Sequence, residues 1–200
     1  MEMAKKIRLA ENVWELHSAL VFSSLQDARE KFARLAGFLK SEGAELLAIE
    51  LFAPEKYAQA AEDLKKSLGV KILPQGHVLP LDEVSLPELA GAHITSLKGA
   101  KPEFKITEKN SVAAFFKCGG EEYCRSFGVC LPQGADCGAS YTKEVFKELK
   151  EVLALGGFKF SDLARTWFYN DKILAWYDDF NKGRTDFFNE NGVFKGLLPA

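Results

Sequence analysis

No stretch of this chain comes near the roughly 18 consecutive apolar residues that a membrane-spanning helix needs, and residues 1–11 are charged, without the apolar centre of a secretion signal. The expectation is a cytoplasmic protein with no membrane partner. An excess of one charge is missing as well: 26 Lys and Arg stand against 28 Asp and Glu, a net charge of −2. Such a balance supplies no field to hold a phosphate backbone, so nucleic acid is not expected as a partner. Histidine is scarce, and His17, His77 and His93 all lie in the first half. The four cysteines, Cys118, Cys124, Cys130 and Cys137, have five, five and six residues between them rather than the two of a zinc knuckle. They read as reduced, buried thiols, with no metal site. No glycine pair sits in a phosphate-binding pattern between strand and helix, and no cofactor is expected.

What is present is enough apolar material, 47% of 200 residues, for one large domain or two small ones. From Asp27 to Ser41 the residues Ala28, Phe32, Leu35 and Leu39 fall on one helical face, stopped by Gly43. Glu45 to Phe52 then reads as a buried strand, and Glu55 to Leu68 as a second helix before Leu73-Pro74. The pattern returns 114 positions later: Phe32, Leu35, Leu39 and Gly43 correspond to Phe146, Leu149, Leu153 and Gly157. Asp162 to Tyr169 takes the place of the strand, Lys172 to Phe188 that of the helix, and Leu198-Pro199 closes the copy. Gly76 to Pro102, rich in proline and glycine, reads as a connector. Further strands are expected at Val13 to Phe22, Ser111 to Lys117 and Ser126 to Leu131. The expected fold is α+β, with two related units, residues 1–100 and 101–200, each packing helices on one face of a small mixed sheet.

The second half holds an ordered series: Ala164-Arg165-Thr166-Trp167-Phe168-Tyr169, Ile173, Tyr177-Asp-Asp-Phe180-Asn181-Lys-Gly-Arg184, Phe187-Phe188 and Leu198-Pro199-Ala200. From Phe104 to Ala200 this resembles the YjgF/RidA superfamily, also known as endoribonuclease L-PSP-like proteins, most closely its chorismatase-like branch. The first hundred residues correspond to the degenerate leading domain such proteins can carry. The resemblance implies RidA-like, chorismate-mutase-like units that assemble as trimers, with clefts that bind small carboxylate-bearing metabolites. It also implies a hydrolase acting on an enol ether, an enamine or an imine. The arginine that follows the Pro-Ala step in the deaminases does not follow Ala200 here. The second unit therefore reads as incomplete at its C-terminus, with a closing strand expected beyond Ala200 and self-association, as a trimer or else a dimer, expected to cover the open edge.

If Asp162 to Tyr169 is a strand, alternation puts Leu163, Arg165, Trp167 and Tyr169 on one face and Ala164, Thr166 and Phe168 on the other. Arg165 then either grips a substrate carboxylate through its planar fork or pairs with an acidic neighbour, and Trp167 either holds an unsaturated ring or fills a subunit contact. Tyr177, Asn181 and Arg184, spaced i, i+4, i+7, share a helical stripe that faces a ligand or a neighbouring loop, while Phe180, Phe187 and Phe188 face the core. No residue presents itself as the general acid such a reaction needs. The alternative to the enzyme is a non-catalytic module that uses the same cleft to sense a metabolite or to dock a partner.

Overall fold

The computed structural model describes residues 3–54, 57–69, 76–80, 90–129, 138–170, 172–196 and 198–199. The fold is α+β, and the chain divides into two compact units, Met1–Glu103 with Ala114–Gly128, and Phe104–Ala113 with Val129–Ala200. The chain passes between the units three times, after Glu103, Ala113 and Gly128, and the first two crossings fall inside strands.

In the first unit, β1 (Lys5–Ala10) and β2 (Val13–Val21) form a hairpin turned at Asn12, which takes the left-handed conformation that asparagine tolerates. Helix α1 (Leu25–Glu42) starts where the Ser24 side chain accepts from the Asp27 backbone N–H at 3.1 Å, and Asp27 accepts in return from the Ser23 N–H at 2.8 Å. Gly43, at φ 63°, ends it and turns the chain directly into β3 (Ala44–Ala53). Helix α2 (Ala58–Ser67), β4 (Gly76–Pro80) and β5 (Gly91–Lys98) follow. The sheet order is β1-β2-β5-β3-β4, with β5 antiparallel to both β2 and β3, and β4 parallel to β3. Ala28, Phe32, Leu35 and Leu39 of α1 join Leu16, Ile49, Leu51 and Ile94 of the sheet and Ala61 and Leu64 of α2 in one core. Each larger side chain buried there contributes about 1.5–3 kcal/mol.

The expected connector is a correction. Gly76 to Pro102 contains β4 and β5, and β5 is the central strand of the sheet; residues 81–89 lie outside the described residues. Glycine and proline in the flanks masked the alternation of Gly91-Ala-His-Ile-Thr-Ser-Leu97, a strand that needed two distant partners to form.

A second sheet runs in the order β6 (Glu103–Ile106), β7 (Val112–Cys118) and β8 (Glu121–Phe127). Gly119 and Gly120, at φ 60° and 86°, make the β7–β8 turn. The strand expected at Ser126 to Leu131 lies earlier, because Gly128, at φ 62°, follows its end; residues 130 and 131 are outside the described set.

The second unit is built on α3 (Ala139–Ala154) and α4 (Tyr177–Glu190). They approach closely at Gly183, where a Cβ would stand 2.4 Å from the Ala139 carbonyl oxygen. Phe146 is 1% exposed and sits among Phe160, Phe168, Phe187 and Phe188, with ring centroids 5.3 to 6.0 Å away. On the same helix the fully buried Glu148 carboxylate accepts from the Thr107 hydroxyl, and Lys109 Nζ lies 3.3 Å from its other oxygen. Thr107 Oγ1 in turn accepts from the Ser111 N–H, so one buried acid anchors the β6–β7 turn.

Two expectations fail in this unit. Residues 162–169 do not form a strand: Phe160–Asp162 is a 3₁₀ turn, and residues 163–170 have no regular secondary structure. The Asp162 carboxylate accepts from the Lys159 N–H at 2.8 Å beside the buried Phe160, while Phe168, still 38% exposed, meets Phe146 and Phe180 edge to face. Aromatic packing, rather than a ladder, orders the segment. The helix expected from Lys172 to Phe188 is interrupted: Lys172 is left-handed at φ 46°, Ile173–Ala175 is a 3₁₀ turn, Trp176 stands at φ −143°, and α4 starts at Tyr177. Phe32 and Phe146 are both buried on helices and Gly43 and Gly157 are both at positive φ, but Gly43 caps α1 directly whereas α3 ends at Ala154 with Leu155 as its cap, and β3 has no counterpart at 162–169.

Candidate functional site

One face of the five-stranded sheet packs under α1 and α2. Alternation sends the intervening residues to the other face, and there the first unit gathers charge. Glu15 and His17 are two apart on β2; His93 on β5 is paired in register with Glu50 on β3, one step diagonal to His17. His93 Nδ1 lies 2.8 Å from Glu50 Oε2, His93 Nε2 lies 3.3 Å from His17 Nδ1, and His17 Nε2 lies 3.3 Å from Glu15 Oε2. The rings are nearly parallel, 15° apart, with centroids 5.5 Å from each other. Arg125 of β8 closes the row, donating from Nε to Glu15 Oε1 at 2.7 Å and from Nη2 to Glu15 Oε2 at 3.3 Å.

Four strands thus hold a continuous chain, Arg125–Glu15–His17–His93–Glu50. Glu15 is 5% exposed. Burial pushes its carboxyl up, but the hydrogen bonds from His17 and Arg125, with their charges, outweigh this and hold it down at about 2. The histidines are more open, with side chains 29% and 37% exposed. A carboxylate only accepts, so the ring nitrogen facing Glu15 and the one facing Glu50 each carry hydrogen. The backbone register also places His77 of β4 beside Glu50. Among the described residues no group of three or more His, Cys, Asp and Glu is arranged to hold a metal ion.

The residues expected from sequence to bind substrate lie in the second unit. Arg165 places its guanidinium 5.2 Å from the Trp167 ring centre, and Trp167 is 73% exposed. Tyr169 and Tyr177 are exposed. Tyr177, Asn181 and Arg184 keep their common stripe on α4, where Arg184 lies 5.7 Å over Phe180. Phe168 meets Phe180 edge to face at 5.1 Å, which ties the segment carrying Arg165 to the helix carrying Arg184. The strand-based division into two faces does not hold, since the segment is not a strand and residues of both supposed faces, Ala164 and Phe168 as well as Arg165, Trp167 and Tyr169, are exposed. Phe180, Phe187 and Phe188 are buried, as expected.

Cys118 is buried and Cys124 half-buried, both free, on the adjacent strands β7 and β8. Burial pushes the Cys124 thiol up to about 11, against the nearby Arg125, so it is inert as a nucleophile near neutral pH. Cys130 and Cys137 lie outside the described residues.

Comparison with protein-family models, curated proteins and solved structures finds no match. The row on the sheet is not among the residues singled out from sequence. Its signal was a charged or imidazole residue at alternate positions of strands that are otherwise apolar, Glu15 and His17 in β2, Glu50 in β3 and His93 in β5. Their 76-residue separation hides the two histidines from any local motif.

Proposed function

We propose that this chain binds a small carboxylate-bearing metabolite through the Arg165–Arg184 surface, in the manner of the YjgF/RidA proteins and their chorismatase-like branch. One observation carries the reading: the Arg165 guanidinium lies on an exposed tryptophan and makes no ion pair with any described residue, so its donors are open to a planar anion. Arg184, held on Phe180, has the same character, and Tyr177, exposed on the same stripe of α4, adds a ring face and a hydroxyl, with Tyr169 assigned to the same surface in this reading. Arg165 takes the carboxylate, Trp167 the unsaturated ring, and Asn181 a hydrogen bond. Binding without turnover is favoured, because apart from the two exposed tyrosine phenols the six residues include no side chain suited to deliver a proton. The finer features belong to the same proposal: a duplicated helix–glycine unit, a cytoplasmic location and assembly as a trimer. Self-association is supported by exposed apolar residues such as Val21 and Leu174.

The test is a titration with chorismate, and separately with an unstable enamine generated in place, followed by tryptophan fluorescence and by product analysis. A charge-assisted, two-pronged contact is worth about 1.5–3 kcal/mol, so Arg165→Ala weakens binding roughly 10- to 100-fold, and Arg165→Lys recovers it only in part. Turnover lost in Arg165→Ala would move the reading from module to hydrolase. Absence of saturable binding of either compound, or equal binding by Arg165→Ala, defeats it.

A further inference from the structure

The row across the first sheet has a hydrogen requirement that the proposed metabolite surface does not touch. Its two imidazoles meet head-on: His17 Nδ1 and His93 Nε2 are 3.3 Å apart and lie between ring centres 5.5 Å apart, with the ring planes 15° from parallel. That is the arrangement of an N–H···N hydrogen bond, which takes one hydrogen. The outer nitrogens face Glu15 Oε2 at 3.3 Å and Glu50 Oε2 at 2.8 Å, and each of these contacts takes one more. Three contacts need three hydrogens, whereas two neutral imidazoles carry two. The row calls for one proton beyond what neutral rings supply.

The chemistry of the neighbours says where that proton lies. Burial pushes the Glu15 carboxyl up, but the hydrogen bonds from His17 and Arg125 prevail and hold it at about 2, so Glu15 is ionised and accepts. Toward Glu50, an imidazole is more basic than a carboxylate, so the proton belongs to the rings. One guanidinium and one imidazolium then offset the two carboxylates, and the row is neutral. By strand register Lys5 of β1 is paired with His17, and His77 of β4 with Glu50. A second proton would set two N–H groups head-on, with Lys5 adding to the repulsion.

We propose that the His17–His93 pair is a proton-operated latch between β2 and β5. One proton, shared by His17 Nδ1 and His93 Nε2, closes the contact, and its loss opens it. When it leaves, the two remaining hydrogens stay on the outer nitrogens, because hydrogen bonds to carboxylates are roughly twice as strong as neutral ones. The inner nitrogens are then left with facing lone pairs. Glu15 and Glu50 are positioning residues that decide which nitrogen of each ring faces inward. Both rings are part-exposed, which gives the proton a path to solvent.

The full-length protein, labelled with ¹⁵N-histidine, is followed by NMR from about pH 9 down to about pH 5. A single step should appear in which one proton is taken up, His17 Nδ1 and His93 Nε2 shift together, and a ¹⁵N–¹⁵N scalar coupling emerges across their contact. The outer nitrogens, Nε2 of His17 and Nδ1 of His93, should keep their hydrogens throughout. Glu50→Gln, which keeps an acceptor and removes the charge, should weaken uptake of the proton about tenfold or more. His77→Gln should leave the coupling in place; its loss in a variant with an otherwise unchanged spectrum would tie the proton to Glu50's other neighbour and overturn the proposal. A wild type that shows no coupling at any pH also overturns it, as do two rings that each gain a hydrogen at separate midpoints. Both results are read on the wild type, independent of how well any variant folds.

Discussion

Replacing Glu15 by glutamine removes a buried charge while keeping the shape of the side chain, which makes it a direct probe of the network on the sheet. The carboxyl moves from its ordinary 4.5 to about 2 on folding because His17 and Arg125 hold the ionised form against the cost of burial. Each tenfold change in proton affinity corresponds to about 1.4 kcal/mol, so this depression ties roughly 3 kcal/mol of folding stability to the ionised group. The sign follows from the direction. A folded-state value below the unfolded one stabilises the protein above about pH 4.5, and that contribution disappears as pH falls from there toward about 2. Glu15→Gln should therefore cost about 3 kcal/mol at pH 7, the lost pairing with Arg125 included, and the gap between variant and wild type should shrink by about 2 kcal/mol by pH 3 and close further toward pH 2. Urea unfolding followed by circular dichroism at pH 7, 4.5 and 3 gives the difference at each pH. Subtracting variant from wild type cancels carboxylates elsewhere that are also depressed, such as Asp27, Glu42, Glu148 and Asp186. A difference that stays constant from pH 7 to 3, or a variant as stable as wild type at pH 7, would refute the reasoning.

Gly183→Ala should destabilise the second unit by about 1–3 kcal/mol in thermal or urea unfolding, because its methyl would meet the Ala139 carbonyl oxygen at 2.4 Å and the Thr142 Cβ at 2.8 Å; a neutral effect would mean that α3 and α4 do not approach as described. Thiol labelling of a variant that retains only Cys124 should be slow at pH 8 and accelerate as pH approaches about 11, and fast labelling at pH 8 would contradict a half-buried thiol on β8.

Helix α1, its glycine stop and β3 were legible locally, since the serine cap, the apolar face and the αL glycine all lie within twenty residues of one another. The aromatic stretch 162–169 was not. Arg-Thr-Trp-Phe-Tyr has the β-branched and aromatic composition of a strand, yet the second unit sets Phe168 of that run against Phe146 and Phe180 without ladder bonds and leaves Trp167 and Tyr169 exposed. Strand propensity measures fit to a half-buried surface, and the edge of an aromatic cluster gives Phe168 that half-burial without a sheet. Arg165, Trp167 and Tyr177 were recognisable as exposed polar and aromatic groups, and helical spacing alone put Tyr177, Asn181 and the half-buried Arg184 on one stripe.

Glu15, His17, Glu50, His93 and Arg125 are different in kind. Local alternation determines that Glu15 and His17 share a face of β2, and that Glu50 opposes its apolar neighbours on β3. It cannot determine that β5 inserts between those two strands, because the register of a strand depends on partners far away in the chain. Insertion of β5 brings His93 beside Glu50 and within 3.3 Å of His17, and β8 delivers Arg125 to Glu15. Amphipathic helices, caps and turns are decided within a few residues by backbone geometry and burial. A charge network assembled from four strands exists only once long-range pairing has fixed which residues face one another.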